Sequence, residues 1–132
     1  MRKIGIAIED ANGISEALRK KIGSFQPEDV FVLTNRKGCA DLPDGVKTYE
    51  RPKYGNFDLT EELRIISEEA GIEIEMIGSC ANSTLVTNAL LLRGAIPDAV
   101  IRVVILGGAG KKEDPAALEA LSASGIEVKT EP

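Results

Sequence analysis

The 132-residue chain has no histidine, only two cysteines and no excess of positive charge. The missing histidine excludes imidazole acid–base chemistry, Ser-His-Asp and Cys-His triads and histidine metal ligation together. Cys39 and Cys80 are too few for a disulfide scaffold, so a cytoplasmic setting with reduced thiols is the expectation. No apolar run approaches the ~18 residues that cross a bilayer, so no membrane span is expected. The start, Met1-Arg2-Lys3-Ile4-Gly5, runs directly into a strand pattern without a signal-peptide apolar core. With a formal net charge of -5 and a pI near 4.8, the surface repels phosphate backbones, and nucleic acid is not an expected partner. Internal repeats, low-complexity tracts and linkers are also missing.

What is present is globular. Hydrophobic residues make up 43% of the chain and charged residues 28%, and the length suits a single α/β domain over 1–132. Apolar runs rich in β-branched residues predict buried strands at Lys3 to Ile8, Asp29 to Thr34 and Val100 to Leu106, with shorter ones at Val46 to Tyr49 and Ile126 to Lys129. Helical spacing predicts a helix over Asn12 to Ile22, with Ile14, Ala17, Leu18 and Ile22 inward and Gly23 as its stop. Asp58 with Glu61 reads as a capping box for a helix carrying Leu59, Leu63, Ile66 and Ala70. Asp114-Pro115 predicts a cap and first residue for a helix that points Ala117, Leu118 and Leu121 inward and ends at Gly125. Asn35 to Gly45 is rich in turn formers and predicts a loop.

Two segments break the simple pattern. Ile72 to Ile77 alternates apolar and acidic residues, so as a central strand it buries Glu73 or Glu75 unless one face reaches a sheet margin or an interface. Ser83 to Arg93 carries three successive leucines before Gly94. Such a helix is either enclosed on several sides or buries a second face against a partner chain, and a homo-oligomer, a dimer or larger, is the expectation.

Strand–helix alternation with short loops predicts a three-layer α/β/α fold around a mostly parallel sheet of about five to six strands. Ligands of such folds bind beyond the carboxyl ends of the strands. The expected site walls are therefore Glu9 to Gly13, Asn35 to Cys39, Gly78 to Thr84 and Gly107 to Lys111. Gly78-Ser79-Cys80-Ala81-Asn82-Ser83-Thr84 leads from a strand into a helix, where backbone N–H groups suit an anion or oxyanion and Cys80 is placed to be nucleophilic. The same residues also serve as plain caps and gap fillers. Gly107-Gly108-Ala109-Gly110-Lys111 lacks Walker A spacing and reads as a flexible loop. Glu9-Asp10 offers a carboxylate as general base or as a helix cap. Arg51 and Lys53 sit in a basic loop. No cofactor or metal is called for.

Gly78 to Val128 reads GSCANSTLVTNALLLRGAIPDAVIRVVILGGAGKKEDPAALEALSASGIEV. It resembles the C-terminal half of the isochorismatase-like cysteine hydrolases, the family that includes nicotinamidases. Their small bacterial members carry G-V-C-T-D-I-C-V-x-x-N-A-L-L-L-R, a Pro-acidic pair, a strand, a glycine loop and an A-A-L-x-x-L helix. Upstream, YERPKYGNFDL at Tyr49 to Leu59 is similar to the family's K-P-T-F-G-S-F-D-L. The resemblance covers over half the chain, and the N-terminal half is shortened. It implies a site built from an aspartate after the first strand, a lysine and a nucleophilic cysteine. Carried over by position, these fall on Glu9, Arg51 and Thr84, while Cys80 matches the earlier, non-nucleophilic cysteine. Asp10, Asn82 and Ser83 would line the ligand. With all three positions substituted, the resemblance implies a relative that has lost the thiol reaction and keeps a small-molecule-binding or structural role. The alternatives are a hydrolase of small amides that uses Cys80, and a homo-oligomeric structural or regulatory module.

Overall fold

A six-stranded, all-parallel sheet forms the middle layer of the computed structural model, which describes residues 2–9, 13–34, 42–50, 55–79, 83–107 and 114–131. In chain order the elements are β1 (Arg2–Ile8), α1 (Glu16–Gly23), a single 3-10 turn (Pro27–Asp29), β2 (Val30–Thr34), β3 (Lys47–Glu50), α2 (Phe57–Glu69), β4 (Ile72–Gly78), α3 (Ser83–Ala95), β5 (Val100–Leu106), α4 (Pro115–Ala123) and β6 (Glu127–Glu131). The strand order is β3-β2-β1-β4-β5-β6. The fold is the three-layer, Rossmann-like α/β/α arrangement expected from the alternation.

Handedness decides where the helices go. The chain steps outward from β1 to β2 to β3, then crosses back to β4 and steps outward the other way. Right-handed crossovers that advance in opposite directions leave their helices on opposite faces. α1 therefore lies alone on one face among the described helices, where Leu18 and Ile22 pack with Ala7, Val30, Val32, Ile77, Val104 and Leu106. α2, α3 and α4 share the other face over a larger core that includes Ile4, Ile6, Leu33, Ile74, Met76 and Val103.

One short helix is ~12 Å long at 1.5 Å per residue and cannot cover its whole face. This accounts for the alternation in β4. Glu73 and Glu75 point to the α1 face, Ile74 and Met76 to the three-helix core. β4 is central, yet ion pairs cover its acidic row in place of a helix. Lys3 Nζ lies 3.0 Å from Glu75 Oε2 and Lys21 Nζ 3.0 Å from Oε1. Lys21 holds Oε1 by charge and proximity, since that buried atom has no well-aligned hydrogen-bond donor among the described residues. Lys21 also bonds Glu131 at 2.9 Å, tying α1 to the edge strand β6, and Arg102 pairs with Glu73. Below α1, the Phe25 ring lies on Gly5 of β1. A Cβ at Gly5 would stand 2.8 Å from the ring, and Lys3 sits 5.9 Å above its centroid. The edge strands β3 and β6 are charged and mostly exposed, which blunts edge-to-edge pairing.

Several boundaries differ from the sequence expectation, each because a local hydrogen bond wins. α1 begins at Glu16 rather than near Asn12, since Ser15 caps it by accepting from Leu18 N at 3.1 Å. Ile14 thus precedes the helix, and Ala17 is exposed. The cap of α2 is Asn56, which accepts from Leu59 N at 2.8 Å, and Asp58 lies inside the first turn. Gly94 lies within α3, and Arg93 finishes the helix end by donating to the carbonyls of Pro97, Ala99 and Ser124. Asp114 caps α4 with Pro115 as its first residue, as expected. β4 and β6 run on to Gly78 and Glu131. Residues 35–41 of the expected loop lie outside the described residues.

Two outcomes follow from the α1 face. Gly5→Ala should lower stability by about 1–3 kcal/mol through the forced shift of Phe25. In a Phe25→Ala background most of that cost should vanish, which chemical denaturation of the four proteins checks. The second concerns Glu75. Burial alone would raise its carboxyl pKa, but the ammonium groups of Lys3 and Lys21, each 3.0 Å away, outweigh it and hold the group below its ordinary 4.5. A depressed folded value contributes stability above pH 4.5 that is lost as the pH falls through that value. Glu75→Gln should cost about 1–3 kcal/mol at pH 7, because both lysines can still reach water. The gap to wild type should close on acidification below pH 4.5, read from urea midpoints across pH.

Candidate functional site

The reversal of strand order falls between β1 and β4, so the helices that follow these two strands, α1 and α3, lie on opposite faces, and a crevice is expected at the strands' carboxyl ends. Ala7 pairs with Ile77 in the last part of this ladder. Glu9 follows at the end of β1; its N–H donates to Leu33 O at 2.9 Å, and it is 8% exposed. Thr84 stands in the first turn of α3, which follows β4, and is 7% exposed. Both therefore lie at the same edge of the sheet, and both have interaction partners. Arg51, Asp10, Cys80 and Asn82 lie outside the described residues, as does the side chain of Ser83.

The first turns of α3 are tied to the start of α2 by two asparagines. Asn88 is 1% exposed. Its Nδ2 donates to Thr84 O at 2.8 Å, and its Oδ1 accepts from Asn56 N at 2.8 Å. Asn56 in turn donates from Nδ2 to Glu50 O at 2.9 Å, joining the end of β3 to the start of α2. Glu50 and Asn56 are thus tied to each other, and Asn56 to Asn88 of α3. Gly55 makes the approach feasible: a Cβ there would stand 2.9 Å from Leu91 Cδ2. Sequence reading gave Asn88 no role. Its role is a contact between residues 32 apart, which no local pattern signals.

A cavity of about 190 Å³ opens at the same edge, on the α1 side. Its apolar wall comes from Ile8, Ala17, Leu18 and Leu106, and its polar wall from Ser15, Gly78, Ser79 and Gly107. Three of the four expected wall segments contribute residues or adjoin it; the fourth, 35–39, lies outside the described residues. Ser15 was not foreseen, because the helix was expected to start earlier. No described lining residue is ionisable. That chemistry suits a small neutral group held by hydroxyl and backbone hydrogen bonds. The volume exceeds the roughly 150 Å³ that accommodates a benzene ring.

The most perturbed phenol lies elsewhere. Burial, with Glu62 beside it, pushes the Tyr49 hydroxyl up to about 12. It stays protonated and donates to Glu62, which makes it a strut between β3 and α2 rather than a base. Among the described residues no group of three or more metal-ligating acidic or thiol side chains comes together, and no helix is long and apolar enough to cross a membrane. Compared with protein-family models and with curated proteins, the chain matches none.

Asn88→Ala should cost about 1–3 kcal/mol by leaving the Asn56 N–H without its partner. Amide hydrogen exchange should quicken at Asn56 and Leu59 while β1 and β4 stay protected.

Proposed function

We propose that this chain is a relative of the isochorismatase-like cysteine hydrolases that has lost the cysteine-dependent reaction and holds a small neutral molecule in the crevice between β1 and β4. The observation that carries the reading is Thr84. A hydroxyl side chain, nearly buried, occupies the first turn of α3, where the resemblance implies the attacking thiolate. A threonine hydroxyl needs a strong base to attack a carbonyl. Carboxylates are weak bases for that step, and the chain has no imidazole. A cavity at the same edge of the sheet, on the α1 side and lined by neither Glu9 nor Thr84, adds further support, since its wall offers serine hydroxyls and apolar surface for a ligand of about one ring. The reading places the protein in the cytoplasm, where Cys39 and Cys80 stay reduced.

A second reading draws on Ser79. It lines the cavity, and the next residue in the sequence is Cys80, the nucleophile of a small-amide hydrolase in this reading. Thiol reactivity separates the two. With iodoacetamide at pH 7, Cys39 and Cys80 should label slowly and at similar rates, as ordinary thiols do. Nicotinamide and other small amides should remain intact over hours. Preferential labelling of Cys80 by tenfold or more, with amide hydrolysis that Cys80→Ser abolishes, overturns the proposal in favour of the hydrolase. Hydrolysis that Thr84→Ala abolishes overturns both.

A further inference from the structure

α1 supplies much of the cavity wall and is lightly seated. Ser15, its cap, and Ala17 and Leu18 of its first turn line the cavity. Of its eight residues only Leu18 and Ile22 are buried, and they pack on strands rather than on a neighbouring helix. A helix of this length does not hold together on its own in water. Where it lies therefore depends on what ties it to the sheet.

One ammonium group ties α1 to two further walls of the cavity. Lys21 stands one turn after Leu18 in α1 and does not itself line the cavity. Its Nζ lies 3.0 Å from Glu75 Oε1 and 2.9 Å from Glu131 Oε1. Glu75 is on β4, which runs on to Gly78 of the wall. Glu131 is on β6, and its backbone O accepts from Gly107 N at 3.1 Å. Gly107 is also part of the wall. A ring of bonds thus encloses the cavity, from α1 through Lys21 to Glu131 and Gly107, with β4 joined through Glu75. The ring is shielded: the Lys21, Glu75 and Glu131 side chains are 21%, 3% and 29% exposed, so water and salt screen them less than an open surface pair.

Lys3 supplies an internal comparison. Its Nζ lies at the same distance from the same carboxylate, 3.0 Å from Glu75 Oε2. It stands on β1, however, a strand that pairing on both sides already fixes.

We infer that Lys21 is the positioning residue of the cavity: it sets how often α1 stands where Ser15, Ala17 and Leu18 complete the wall. This role rests on the reading of the crevice as a binding site. Without the ammonium, α1 keeps its two apolar anchors and loses its tie to β4 and β6. The wall is then complete for a smaller fraction of the time, and the apparent affinity of a ligand that touches α1 and the strand ends together falls by that fraction.

The test is an amide NMR titration of the full chain with benzyl alcohol, a neutral single-ring probe, paired with amide hydrogen exchange without it. Lys21→Met should raise the dissociation constant about five- to tenfold and quicken exchange at residues 19–22 ahead of β1 and β4. Lys21→Arg should restore the affinity to within about twofold, since a guanidinium fork serves two carboxylates. Lys3→Met removes a charge from the same carboxylate and keeps an apolar contact with the Phe25 ring. It should lower stability and leave the affinity unchanged. Should Lys21→Met fail to fold, Glu131→Gln, on the exposed edge strand, breaks the β6 tie alone and should weaken binding about threefold. Equal losses of affinity for Lys21→Met and Lys3→Met overturn the inference, because a merely structural role at Glu75 gives that result. Undiminished affinity in Lys21→Met or Glu131→Gln also overturns it and leaves the crevice reading standing. A wild-type chain whose Ile8, Ser15, Ser79 and Gly107 amides do not respond to the probe overturns the crevice reading, and this role with it.

Discussion

The constraint on which the rest depends is the handedness of the crossover between parallel strands. Right-handed connections, together with one reversal of direction between β1 and β4, send α1 to one face and α2, α3 and α4 to the other. The carboxyl ends of β1 and β4 lie at this reversal, and the cavity, Glu9 and Thr84 are found at that edge. Fold and site are consequences of one topological choice.

The uneven split of helices creates a problem that the charged side chains solve. A central strand covered by helices on both faces reads as an unbroken apolar run, and β5 comes closer to that than β4. α1 packs its apolar residues over the carboxyl end of β4, at Ile77, and the row before it, Glu73 and Glu75, is acidic, with Glu75 neutralised from β1 by Lys3 and from α1 by Lys21. A buried ion pair contributes little net stability, because desolvation offsets most of the Coulomb gain. Its use here is positional. Lys21 binds Glu75 and Glu131 together, and so fixes where α1 lies across a face that supplies few apolar contacts.

Much of the architecture was legible in the sequence because its signals are local. The run VIRVVIL became β5 with the expected bounds, and Asp114-Pro115 capped α4. The alternation in Ile72 to Ile77 signalled a strand with one uncovered face, although its centrality in the sheet depends on pairing that no local pattern reveals. Errors arose where two residues competed for one cap. Asp58 with Glu61 fits a capping box, but Asn56 wins because Asn88 holds its backbone N–H and Glu50 O holds its side chain. Likewise Ser15 displaces Asn12 as the start of α1. The placement of Glu9 and Thr84 at the carboxyl edge of the sheet was readable from the order of strands and helices. The asparagine bridge and the contribution of Ser15 to the cavity were not, since both arise from distant segments meeting.

The central claim is that the crevice between β1 and β4 binds without a thiol. Amide NMR spectra of a Cys39→Ser, Cys80→Ser variant, titrated with neutral single-ring fragments, test it directly. The account expects shifts concentrated at Ile8, Ser15, Ser79 and Gly107, with affinities equal to those of the wild type. Shifts confined to the opposite end of the sheet, near Ile72 and Ala99, or binding that disappears with the cysteines, would contradict it.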